Sequence, residues 1–150
     1  MNLFSDDIQE FVQCFEDHKV EYLLVGGIAV ILYGYERVTG DVDIWVNRTS
    51  ENFSKIEKAF HQFGMPLFGM TLDRFLNTEN EVFRFGRRPN AIDIMVHVKG
   101  LHFKDCFLLR KRFKDNSLEM NLIHINHLRE AKLHSNRFKD LDDLENLPFG

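Results

Sequence analysis

Apolar residues recur at helical spacing near the start of the chain. Ile8, Phe11, Val12 and Phe15 follow Ser5, a residue suited to an N-cap, and two acids in the first turn. This pattern predicts an amphipathic helix ending near Lys19. The period then changes. "VEYLLV" (20–25) is a short continuous apolar run of the kind a buried strand carries, and it leads into Gly26-Gly27. "IAVILYG" reads as a short apolar helix ending at Gly34. "DVDIWV" (41–46) alternates, with Val42, Ile44 and Val46 on one face and Asp41, Asp43 and Trp45 on the other. Ser50 is suited to cap a second long helix with Phe53, Ile56, Phe60 and Phe63 as its stripe, stopped by Gly64 and Pro66. The stretch 65–81 is irregular, with one short helix from Thr71. "EVFRF" and "AIDIMVHV" read as strands around the turn "GRRPN". "FLLRKRF" and "LEMNLIHI" read as a hairpin around "KDNS". Asn126 is placed to cap a helix through Leu133, and Phe138, Leu141, Leu144 and Leu147 mark a last helix. With no repeat, linker or low-complexity segment, this order predicts a single α/β or α+β domain over residues 1–150, built on one mixed sheet.

Composition narrows the class. A chain of 150 residues with 15 phenylalanines can bury a real core. Its net charge of −4 supplies no global basic field for nucleic acid. Cys14 and Cys106 are too few for a disulfide framework and read as reduced thiols. "MNLFSDDIQE" has no basic n-region, and no apolar run approaches a bilayer span. The expectation is therefore a cytoplasmic protein with no membrane association.

The chemistry concentrates in "LLVGGIAVILYGYERVTGDVDIWV". A strand that ends in two glycines and continues as a helix brings bare backbone N–H groups to a helix N-terminus, where an anion can approach and the dipole favours phosphate. For paired glycines alone, a tight turn is the commoner meaning. Asp41 and Asp43 lie two apart in a strand, so they share a face, and like charges that close repel unless a cation intervenes. A solvated strand face would also look like this. Together, a phosphate cradle followed closely by a carboxylate pair is what metal-assisted nucleotidyl transfer needs, with Mg²⁺ held by carboxylates and substrate phosphates. A third acid from a neighbouring strand would complete such a site. "NAIDIMVHV" offers Asp93, flanked by Ile92 and Ile94, and an acid within an apolar strand is costly unless paired.

Gly26-Gly27, a short helix, and then Asp41-Val42-Asp43 in a strand resemble the signature of the polymerase-β-like nucleotidyltransferase superfamily. The fuller stretch is similar to the small bacterial branch that includes abortive-infection and toxin-type members. So is the C-terminal "LREAKLHSNRFKDLDDLENL", with Lys132, Arg137 and Lys139-Asp140-Leu141. The similarity runs from about residue 20 to the end. It implies a nucleotidyltransferase fold, a mixed sheet flanked by helices and closed by C-terminal helices. It further implies that Gly26 and Gly27 cradle the triphosphate of ATP or another NTP, and that Asp41, Asp43 and Asp93 bind a pair of Mg²⁺ ions. Asp93 would also be the candidate general base. By the same resemblance Arg37 would touch phosphate and Thr39 would fix the loop. Lys132, Arg137 and Lys139 would reach the triphosphate or brace the helices, although local salt bridges are an equally good reading of these cations. The implied acceptor carries a hydroxyl and is an RNA such as tRNA, a protein or a small molecule, with RNA or protein somewhat favoured. A toxin-type member would have an antitoxin-like partner, and the chain would act as a monomer or homodimer. Gly27 departs from the pattern, since many relatives carry serine there. With no counterpart of the larger members' acceptor-binding domain expected in these 150 residues, the acceptor surface is expected from the chain's own loops, a second subunit or a large partner. The rival expectation is a non-catalytic module of the same fold that binds nucleotide or a partner.

Other residues carry less. The seven histidines have no zinc spacing and read as surface or packed side chains. "RKRFK" reads first as a solvated edge strand and only second as a contact for an RNA backbone.

Overall fold

The central strands of this chain are buried nearly throughout, while the edge strand Val82–Phe85 alternates exposed and buried residues, so side chains pack on both faces of the sheet. The computed structural model describes residues 4–35, 40–78, 80–86, 91–135 and 138–147, the side chains of 138–140 excepted. Its elements run α1 (Asp6–Asp17), β1 (Tyr22–Val25), α2 (Gly26–Leu32), β2 (Asp41–Val46), α3 (Ser50–Phe63), α4 (Leu72–Asn77), β3 (Val82–Phe85), β4 (Ala91–Met95), α5 (Phe103–Leu108), β5 (Lys111–Asp115), β6 (Leu118–Leu122), α6 (Ile125–Ser135) and α7 (Phe138–Asn146). The strands form one six-stranded mixed sheet in the order β3-β4-β2-β1-β6-β5. Antiparallel pairs β3/β4, β1/β2 and β5/β6 are joined by parallel contacts of β4 with β2 and of β1 with β6. The mixed α+β architecture expected from the sequence is the one observed.

Aromatic packing assigns the faces. Phe15 of α1 meets the Tyr22 ring edge-on at 5.7 Å, and Phe60 of α3 meets Phe85 at 4.8 Å. Tyr22 pairs with Val46 and Phe85 with Ile92, so Val42, Ile44, Val46, Ile92 and Ile94 face α1 and α3. These apolar side chains, with Phe11 and Ile56, are buried and form the larger half of the core. The opposite face carries Trp45, covered by Phe103 of α5 at 5.2 Å, and by alternation it also carries Asp41, Asp43, Asp93 and Arg84. Asp41 and Asp43 therefore do not interrupt a buried strand. Their neighbours pack on one side while they point to the other.

Local chemistry sets the helix ends. Ser5 caps α1 by accepting from the Ile8 N–H, and Gly64 ends α3 in the left-handed conformation. Several boundaries differ from the sequence reading. α6 starts at Ile125, so Asn126 lies inside its first turn and does not cap it, and the strands read as far as Val98 and Ile125 end at Met95 and Leu122. Thr49, not Ser50, caps α3: its backbone is extended and its hydroxyl accepts from the Asn52 N–H at 3.1 Å. Both glycines belong to the first turn of α2. Residues 103–108 form a helix that the reading of "FLLRKRF" as strand overlooked. Phe103 and Phe107 stack at 5.4 Å, the i,i+4 spacing of a helix face, and the strand starts only at Lys111.

Candidate active site

The acids meet because two strands run parallel in register. Asp43 of β2 lies opposite Asp93 of β4, and Asp41 lies opposite Ala91. In parallel strands, residues opposite one another project to the same face, so all three carboxylates share it. Asp41 and Asp43 are partly buried and Asp93 is buried, at 7% exposure. Asp93, expected as a third acid, is thus brought beside Asp43 by a pairing that no sequence motif encodes.

β1 ends at the same place. Val25 pairs with Asp43, and the chain turns at Gly26, whose φ of +67° lies in the left-handed region. A Cβ on Gly26 would stand 2.1 Å from Asp43 Oδ2, too close for any side chain. Glycine is required here twice over, by backbone conformation and by the approach of the Asp43 carboxylate. The bare backbone that opens α2 therefore lies directly against one of the acids.

One residue of this cluster escaped the sequence reading. Arg84, on edge strand β3, lies opposite Asp93. Its Nε donates to Asp93 Oδ1 at 2.8 Å and its Nη2 to Asp93 Oδ2 at 2.9 Å, a two-pronged pair; Nη2 also donates to Asp41 Oδ2 at 3.1 Å. Hydrogen bonding to Asp93, then the charges of Asp93, Asp41 and Asp43, hold the guanidinium well above its ordinary pKa. The turn expected at "GRRPN" (86–90) would set Arg84 across from Ile92; the observed register pairs Phe85 with Ile92 and so brings Arg84 opposite Asp93, a favourable cross-strand pair.

The remaining expected residues divide into two groups. Arg37, Thr39 and Arg137 lie outside the described residues, as does the side chain of Lys139. Lys132 is described, and it braces the closing helices. It is buried on α6 and its Nζ lies 3.1 Å from Oδ2 of Asp143, equally buried on α7. Among the described residues, no three or more carboxylates, imidazoles or thiols converge to hold a metal ion as the side chains stand, the three aspartates included. The donor types suit Mg²⁺, but both oxygens of Asp93 are given to Arg84.

Outside the cluster, His124 and His127 pack edge to face at 6.1 Å. β5, which carries most of "RKRFK", is the other edge strand, with Lys111 and Lys114 exposed. Its Arg112 is tied to both oxygens of Glu16. Cys14 and Cys106 are buried free thiols, and burial pushes Cys106 up to about 11. Among the described residues no helix is long and apolar enough to cross a membrane.

This sheet and its helices are the fold of nucleotidyltransferases. The chain superposes on TM1012 of Thermotoga maritima, described as a candidate nucleotidyltransferase, with a TM-score of 0.63 and 16% identity over 92% of this chain and 88% of that one. It superposes on the lincosamide antibiotic adenylyltransferase LnuA, solved with lincomycin, with a TM-score of 0.58 and 19% identity over 97% and 98% of the two chains. JHP933 of Helicobacter pylori matches with a TM-score of 0.52 and 15% identity over 94% of this chain and 66% of its own. At these identities the likeness is one of fold. No protein-family model matches the sequence, and no curated protein matches it either.

Proposed function

We propose that this protein transfers a nucleoside monophosphate from an NTP to a hydroxyl acceptor: the hydroxyl oxygen attacks the α-phosphorus in line, the bond from that phosphorus to the β-phosphate oxygen breaks, and pyrophosphate leaves. The observation that carries this reading is the in-register Asp43/Asp93 pair with Asp41 on the same face, set against the bare backbone of Gly26. Three carboxylates on one face of adjoining strands concentrate negative charge far beyond what packing requires, and a triphosphate brought beside them needs cations to approach. Asp41, Asp43 and Asp93 are the residues that would hold Mg²⁺, as one ion or a pair, and the ion would neutralise the phosphates and lower the pKa of the attacking hydroxyl.

The chain's own groups divide the remaining work. The N–H groups of Gly26 and Gly27 are the candidate phosphate donors, a role that Gly27 fills without the hydroxyl a serine would add. A carboxylate oxygen of Asp93, once free of Arg84, is the candidate acceptor for the hydroxyl proton. Lys132 holds α6 to α7 and so keeps the closing helices docked. Arg37, Thr39, Arg137 and Lys139 remain candidates for phosphate contact and loop bracing.

For the acceptor, LnuA is a match of nearly equal length, and its acceptor class is a small antibiotic. That raises a small molecule to equal standing with RNA or a protein side chain. A toxin-type role with an antitoxin-like partner, and a monomeric or homodimeric state, belong to the same proposal. The second reading, a non-catalytic nucleotide-binding module, draws on Arg84, which already neutralises part of the acid cluster.

Thermal shift with ATP, CTP, GTP and UTP, with and without Mg²⁺, tests the core of the proposal. A cation-dependent rise in Tm that Asp43→Ala removes is expected. Its absence with all four nucleotides would sink the enzyme reading. Incubation with each labelled NTP and, in turn, total RNA, total protein and a panel of hydroxylated antibiotics then names the acceptor by where the label appears. Binding without any label transfer favours the non-catalytic module.

A further inference from the structure

We infer that Arg84 is a built-in counter-ion that competes with a divalent cation for Asp93 and Asp41, so that the site must release this guanidinium before it loads a cation. The inference rests on the nucleotidyl-transfer reading only for the use of a divalent cation at these acids.

Three observations point to it. First, Arg84 engages both oxygens of Asp93, at 2.8 and 2.9 Å, and reaches Asp41 with the same Nη2. It therefore bridges acids from two strands, much as a metal ion would. A cation bound to Asp93 would share the carboxylate with a permanent positive charge, and the two repel. Second, the pairing is dictated by the hairpin register of β3 with β4, which fixes the arginine opposite Asp93. Third, the arginine is free to leave. It stands on the edge strand with its side chain 46% exposed, whereas Asp93 stays buried. A long, flexible side chain at an edge can swing into water, while a short aspartate in a central strand cannot follow it.

The consequence is a site that is electrostatically quenched when empty. Without Arg84, adjoining aspartates in register would repel one another across the β2/β4 pairing. With it, the cluster is held together, and a bare cation must displace a charge-assisted pair. An incoming triphosphate carries the negative charge that a released guanidinium can meet, so cation and nucleotide should load together more readily than the cation alone.

The test is direct Mn²⁺ binding to the nucleotide-free full-length chain, read from the spin-resonance signal of free Mn²⁺, for wild type, Arg84→Gln, Arg84→Lys and Asp93→Asn. Arg84→Gln should bind Mn²⁺ about tenfold more tightly than wild type, since the displaced partner is then neutral. Arg84→Lys keeps a charge but loses the fork, and should fall between the two; it also serves if Arg84→Gln fails to fold. Asp93→Asn should bind weakly. Equal or weaker Mn²⁺ binding by both arginine variants overturns the competition and leaves the proposed activity standing. No Mn²⁺ binding by any of the four proteins overturns both the competition and the metal-dependent part of the proposed function.

Discussion

Two cation–carboxylate groupings sit on the same molecule and differ in kind. Lys132 and Asp143 are 4% and 1% exposed, join α6 to α7, and lie 3.1 Å apart. Arg84 is nearly half exposed on an edge strand and faces three aspartates on two central strands. A sealed pair between two helices serves to fix one against the other. Three aspartates gathered on one face beside a half-exposed arginine lie where a ligand can reach them. The contrast separates a brace from a candidate site without appeal to any motif, and the Lys132–Asp143 pair fits the bracing alternative of the two roles the sequence offered for this lysine.

Breaking the brace should have the largest effect on stability. Lys132→Met leaves Asp143 buried without this partner and is expected to cost about 3–5 kcal/mol in urea unfolding. The double variant Lys132→Met, Asp143→Leu should recover most of that loss, because it removes the buried carboxylate as well. If the single variant unfolds like wild type, the pair is no brace.

Gly26→Ala comes next. The substitution forces an alanine into the left-handed region and its Cβ into Asp43, so a loss of about 1–3 kcal/mol is expected. Its nucleotide-induced thermal shift should disappear as well, because Asp43 must move. Gly34→Ala is the useful control: it shares the positive φ, but a Cβ there meets no neighbour, so it should lose stability without losing the nucleotide response.

Asp43→Asn should behave in the opposite sense to Lys132→Met. It removes one of several like charges, so its unfolding free energy should stay within about 1 kcal/mol of wild type. The cation-dependent response to nucleotide should nonetheless be lost. A large destabilisation with ligand binding retained would erase the distinction between the two groupings.

The smallest expected effect lies at alkaline pH. Burial raises Cys106 from its ordinary 9.0 to about 11 in the folded protein. Between these values the unfolded chain has released a proton that the native state still holds, so stability falls as pH rises through this window and levels off above it. Tyr33, raised by burial to about 12, extends the decline. Cys106→Ala should flatten the pH 9–11 part of the curve measured by chemical denaturation.

Much of the fold was legible because local rules dominate it. The bounds of β2 follow from the alternation that opens it, the start of α1 from its Ser5 cap, and the extent of α3 from its phenylalanine stripe and Gly64, although its cap falls on Thr49. The short helix α5 was not legible, because six residues give little more than one period and its apolar run also suits a strand. Site residues divided along the same line. Asp41 and Asp43 announce themselves by spacing within one strand. Arg84 does not, because a lone arginine in an alternating strand is ordinary until its partner strand is known.

The sequence by itself determined which residues are unusual: two glycines after a strand, two acids two apart, and one acid within an apolar segment. It determined this because side-chain periodicity and burial cost are local properties of the chain. Only the tertiary structure decided which of those residues come together. The parallel pairing of β2 with β4 puts Asp43 beside Asp93, the turn after β1 presses Gly26 against Asp43, and the β3/β4 register delivers Arg84 to the acids. Strand order and register come from the whole sheet burying its apolar face against α1 and α3. No single segment carries that information, because a one-residue slip would turn each acid toward the core.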